Sequence, residues 1–77
     1  MHDVNELLEI AIKETESLVQ GEVFLVKDLF KGYEWNRISH SNRLLLGTLF
    51  LNRVNKSNEY ISPVEKTSSG QQRYKKL

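Results

Sequence analysis

Side chains able to do acid–base or metal chemistry are few and scattered in this chain. His2 and His40 are the only histidines and there is no cysteine. Neither imidazole has a second ligand at metal-site spacing. Ser39-His40-Ser41 sets hydroxyls beside an imidazole, but neighbouring residues of a helix point in different directions, and a serine there is better explained as a helix cap. Gly21, Gly32, Gly47 and Gly70 stand alone, so no glycine loop cradles a phosphate. No catalytic residue, cofactor or metal is assigned, and no enzyme is expected. What remains is cationic and aromatic: Arg43 beside Asn42 and His40, then Lys56, then Lys66, Arg73, Lys75 and Lys76 with Tyr60 and Tyr74. Cations can neutralise phosphates, and phenol rings can stack on unpaired bases.

The placement of those cations carries more information than their number. Over 77 residues, 11 basic side chains face 10 acidic ones, for a net charge of +1. Residues 1–26 hold six acids (Asp3, Glu6, Glu9, Glu14, Glu16, Glu22) and only Lys13, a net of −5. Residues 27–77 hold ten bases against Asp28, Glu34, Glu59 and Glu65, a net of +6. Such asymmetry points the basic part toward a polyanion. Solvated surface charge without a partner is the alternative.

Length and composition set the frame for these groups. One small domain is expected, with a core supplying about 3–5 kcal/mol of net stability. Hydrophobic content of 39% and charged content of 27% fit a folded domain. The absence of cysteine excludes disulfides and thiolate metal sites. The longest nearly apolar run, Leu44 to Leu51, falls far short of the roughly 20 residues of a membrane span. Asp3, Glu6 and Glu9 stand where a signal peptide wants bases, so a cytoplasmic protein is expected.

The elements that must position the cations follow from periodicity and punctuation. Asp3 and Glu6 make an Asp-x-x-Glu capping box, and Val4, Leu7, Leu8, Ala11, Ile12, Thr15, Leu18 and Val19 form one apolar stripe up to Gly21. A helix is predicted over residues 3–20, acidic on its outer face. Residues 23–26 read as a brief strand and 27–38 as a short helix and turn. Ser39 caps a long helix over 39–55. Residues 59–77 read as a basic hairpin closed by Thr67-Ser68-Ser69-Gly70, with Pro63 confining its first strand to an edge or a bulge.

Helix, strand, short helix, helix and two-stranded hairpin make an α+β chain with the element order of a winged helix-turn-helix. The first turn of the long helix, with His40, Asn42 and Arg43, is the part of such a motif that meets nucleic acid. The hairpin is the wing, although cations on an edge hairpin also block aggregation. Phe24, Phe30, Trp35 and Phe50 are expected in the core. Tyr60 and Tyr74 either stack on bases or pair across the hairpin. Leu44, Leu45, Leu46 and Leu51 interrupt the polar positions that a duplex reader would turn outward. They are covered either by the first helix or by a second copy of the chain.

Val23 to Phe50 resembles a family of small proteins of mobile elements and phages that includes the winged-helix single-stranded-DNA-binding protein of staphylococcal cassette chromosomes. The resemblance rests on Val23-Phe24-Leu25-Val26-Lys27-Asp28-Leu29-Phe30, Trp35, and Arg43-Leu44-Leu45-Leu46-Gly47-Thr48-Leu49-Phe50. It implies sequence-tolerant binding of single-stranded DNA during replication of the element, with Arg43 as the one polar motif residue to carry over. The alternatives are a double-strand-specific repressor or excision factor, which would need a dimer through the long helix, and an adaptor meeting a replication protein through the acidic first helix. No membrane partner is expected.

Overall fold

A computed structural model describes residues 3–57 and 60–77. The start of the expected hairpin at Glu59, and His2, lie outside them. Asp3 caps the first helix, α1 (Val4–Glu14), by accepting the Glu6 backbone N–H at 2.9 Å. Leu7, Leu8 and Ala11 are its buried stripe. The helix is shorter than the stripe predicts. The Thr15 hydroxyl bonds back to the Ile12 carbonyl, a tight 3₁₀ turn covers Thr15–Ser17, and Leu18 is already extended at ψ 149°. Periodicity continues through Leu18 and Val19, but sheet pairing claims the chain just beyond. The Gly21 N–H donates to the Lys76 carbonyl at 2.7 Å, and the Lys76 N–H donates to the Glu22 carbonyl at 2.8 Å. Gly21, at φ +92°, serves this reversal rather than capping the helix.

The strand β1 holds only Val23–Phe24. A second 3₁₀ turn, Val26–Leu29, buries Val26 and Leu29. The predicted short helix is thus two pieces, the second being α2 (Gly32–Asn36). One local device starts both: the Leu25 N–H donates to the Asp28 carboxylate at 2.9 Å, and the Lys31 N–H to the Glu34 carboxylate at 3.2 Å. Gly32 opens α2. The long helix α3 runs His40–Ser57, with the Ser39 hydroxyl accepting the Asn42 N–H at 3.3 Å.

The strands β2 (Ile61–Pro63) and β3 (Tyr74–Lys76) complete a three-stranded antiparallel sheet in the order β1-β3-β2. Phe24 lies opposite Tyr74, and Tyr74 opposite Pro63. Pro63 therefore sits on an edge strand, where its missing N–H costs no ladder bond. The core lies between sheet and helices: Leu7, Leu8 and Ala11 of α1, Leu46, Phe50 and Val54 of α3, with Phe24, Val26, Leu29, Ile38, Ile61 and Tyr74. Three rings form its centre. Tyr74 stacks on Phe24 at 5.8 Å and meets Phe50 edge-on at 4.8 Å. Phe30 and Trp35 are only half-buried and pack on each other at 5.9 Å.

Candidate nucleic-acid interface

The corner between α2 and α3 places the first group of candidates. His40 is exposed, whereas Asn42 and Arg43 are half-buried. The Arg43 guanidinium lies over the Trp35 ring at 5.4 Å, with Nε shielded from solvent and lacking a hydrogen-bond partner. Arg43 is thereby held against α2, its aromatic support coming from the neighbouring helix. A second cation–aromatic group sits beside it and was not anticipated. Arg37 lies over Tyr33 at 5.1 Å and Lys31 lies 6.0 Å from the same ring, which is largely exposed. The i, i+4 spacing of Tyr33 and Arg37 was the available signal.

The second group of candidates occupies the hairpin, whose arms continue past the short strands. The Val64 N–H donates to the Arg73 carbonyl at 2.9 Å, and the Thr67 N–H to the Gln71 carbonyl at 2.8 Å. Gly70, at φ +89°, closes the tip. Two of the four expected hairpin cations are engaged within the protein. Arg73 Nε donates to the Glu65 carbonyl at 2.9 Å, bracing the two arms. The Lys76 ammonium donates to the Thr15 carbonyl at 3.0 Å and lies 5.8 Å from the Tyr60 ring centre. A cation at the last carbonyls of α1 complements the helix dipole there. Lys66 and Lys75 are exposed, as is Lys56 near the end of α3.

Tyr74 cannot stack on a bound base. Its side chain is 1% exposed, and its ring partners are Phe24 and Phe50 rather than Tyr60. Inward alternation on β3 decides this, because the middle strand of a sheet covering the core turns every second residue into it. Burial also pushes the Tyr74 phenol up from 10.0 to about 12. Tyr60, at 62% exposed, keeps an accessible ring.

The two charged halves of the chain meet at an ion pair. Arg53 of α3 pairs with Glu9 of α1 at 2.5 Å, so part of the acidic surface of α1 is engaged. The carboxylates of Asp3, Glu22, Asp28 and Glu34 each accept a backbone N–H three residues away. Of the surplus leucines, Leu46 is buried in the core that α1 shares and Leu51 packs against it, whereas Leu44 at 63% and Leu45 at 45% stay exposed. His40 and Lys56 mark opposite ends of α3, about 24 Å apart along its axis. Between them Ser41, Leu44, Leu45, Thr48, Asn52 and Asn55 form an uncharged exposed strip.

A groove of about 410 Å³ opens where α1, α2 and the first turn of α3 meet. Leu7, Ile10, Phe30 and Ile38 supply apolar walls, and Glu34, Arg37 and Asn42 supply polar ones. Among the described residues, no group of three or more His, Asp or Glu could hold a metal ion. No helix among them is long and apolar enough to cross a membrane.

No curated protein and no solved structure matches the chain. A family described as "Domain of unknown function (DUF1413)" does match it, over residues 9–76. That span runs from Glu9 of α1 to the last residue of β3, so the hairpin, the α2–α3 corner and all of the groove's lining but Leu7 fall within it. The chain belongs to the DUF1413 family.

Proposed function

We propose that this domain is a winged helix that binds nucleic acid, prefers single-stranded DNA without sequence selectivity, and works in the cytoplasm in replication of a mobile element or phage. It acts as a binder and not as an enzyme. The observation supporting the proposal is the sheet order β1-β3-β2 together with the element order of α2, α3 and the hairpin. On this reading the hairpin carrying Lys66 and Lys75 acts as the wing, and α2 and α3 act as the helix-turn-helix. His40, Asn42 and Arg43 at one end of α3, and Lys56 with Tyr60 at the other, supply the remaining contacts. Lys76 and Arg73 mainly brace the wing, as their bonds to Thr15 and Glu65 indicate. The preference for single strands draws on the resemblance of Val23–Phe50 to the cassette-chromosome protein.

The exposure of Leu44 and Leu45 favours one further reading, a second copy paired through α3. A dimer is what a double-strand-specific regulator would require. A replication protein meeting α1 remains the adaptor alternative, with Glu6, Glu14 and Glu16 exposed there.

Fluorescence anisotropy with labelled oligo-dT and a duplex of equal length, across a salt series, tests the proposal. Oligo-dT is expected to bind more tightly, and K66E/K75E to weaken that binding strongly while leaving the fold intact. Equal binding of both forms, or binding of neither at low salt, refutes it. Tight protection of one short duplex with weak oligo-dT binding would establish the regulator instead.

A further inference from the structure

We propose that the groove between α1, α2 and the first turn of α3 receives one unpaired nucleobase of the bound strand. The inference rests on the nucleic-acid reading above and supplies a structural cause for strand preference that surface lysines cannot, since they meet phosphates alike in single and double strands. At about 410 Å³ the groove falls within the range of small-molecule sites, about 300–1,000 Å³. Its walls have the chemistry of a flat heteroaromatic ring. Leu7 and Ile38 are buried apolar surface, Ile10 stands at the rim at 38% exposure, and Phe30 offers an aromatic ring. Trp35 packs against Phe30 at 5.9 Å and helps hold that ring in place.

The polar lining selects the charge of the occupant. Glu34 and Arg37 are of opposite sign, so the groove carries no net charge and favours a neutral ligand over a phosphate or a carboxylate. Asn42 offers an amide that both donates and accepts, as the edge of a base requires. Arg43, the next residue along α3, lies over Trp35, which in turn packs on the lining ring of Phe30. Bases of a duplex are stacked and would have to flip out to reach such a site, whereas a single strand presents them directly.

The test compares oligo-dT with an oligomer of the same length built of abasic deoxyribose phosphate, using the full chain. The wild type is expected to bind oligo-dT about tenfold more tightly, in line with stacking of one base. Ile10→Trp, which fills the groove from its exposed rim, is expected to lower oligo-dT affinity to the abasic level and leave abasic binding unchanged. Should that variant fail to fold in a thermal melt, Phe30→Leu, which removes the aromatic wall and keeps apolar volume, gives the second measurement, with a several-fold loss for oligo-dT alone. Equal affinity of the wild type for both oligomers overturns the nucleobase site while leaving backbone binding intact. A preference for oligo-dT that survives Ile10→Trp or Phe30→Leu places the stacked base elsewhere, on Tyr60 or Tyr33, and overturns the groove as its location. Binding of neither oligomer overturns the inference together with the function on which it rests.

Discussion

Replacing Tyr74 separates a ligand-contacting role from a structural one. Its ring is 1% exposed at the junction of α3 with two strands, against Phe50 at 4.8 Å and Phe24 at 5.8 Å. Truncating a core aromatic to alanine costs about 3–5 kcal/mol, and a chain of this length has about 3–5 kcal/mol in total. Tyr74→Ala should therefore be largely unfolded. Tyr74→Phe keeps the ring and should change stability by less than about 1.5 kcal/mol. The hydroxyl adds a pH dependence. Burial raises the folded phenol from 10.0 to about 12, so the fold favours the neutral form. That contribution is fully present below pH 10 and is lost as pH rises through the folded value. At about pH 11 linkage predicts a loss of about 1–1.5 kcal/mol, with roughly twice that once the phenol is fully ionised. Urea unfolding followed by Trp35 fluorescence and far-UV circular dichroism, at about pH 8 and about pH 11, measures this. Comparing wild type with Tyr74→Phe cancels the titration of every other group. Tyr74→Ala that unfolds cooperatively at wild-type stability, or stays folded but loses oligo-dT binding, would refute the structural role. An equal alkaline loss in wild type and Tyr74→Phe would refute the linkage.

Other perturbations follow from the same contacts. Lys76→Met removes the bond to the Thr15 carbonyl and should cost about 1 kcal/mol in urea unfolding, whereas Lys75→Ala should stay within about 0.5 kcal/mol of wild type. With Lys56, Lys66 and Lys75 as phosphate contacts, log affinity for oligo-dT should fall against log salt with a slope of about −2, and K66E/K75E should flatten it below about −1. Asp3→Ala removes the α1 cap and should lower stability by about 1 kcal/mol, with loss of helical circular dichroism signal. Gly21→Ala, at φ +92°, should cost about 1 kcal/mol or more because a Cβ disfavours that backbone conformation, read as a lowered thermal midpoint.

Local signals were legible where one residue answers to its near neighbours. The Asp3 cap, the Ser39 cap, the edge placement of Pro63 and the buried stripe of Leu7, Leu8 and Ala11 all depend on spacing within a few residues. The end of α1 did not follow its periodicity, because Gly21 and Glu22 pair with Lys76, more than fifty residues away. The short helix divided because Asp28 and Glu34 each start a separate turn. Charge by position misjudged the wing for a related reason. A lysine two residues beyond a buried tyrosine on the same strand turns to the same side, and so Lys76 meets Thr15 rather than solvent.

The sequence by itself determined the α+β order, the split of charge between the two halves, the lack of a membrane-spanning helix and the residues available for binding. It does so because composition, caps and periodicity act within a few residues of chain. Tertiary structure alone decided which of those residues remain at the surface. Pairing of β3 with β1 and β2 sent Tyr74 into the core and Lys76 onto α1, left Leu44 and Leu45 uncovered, and brought Arg53 to Glu9. Packing of α1 against α3, with α2 beside them, created the groove. Each depends on contacts between distant segments, which no local pattern encodes.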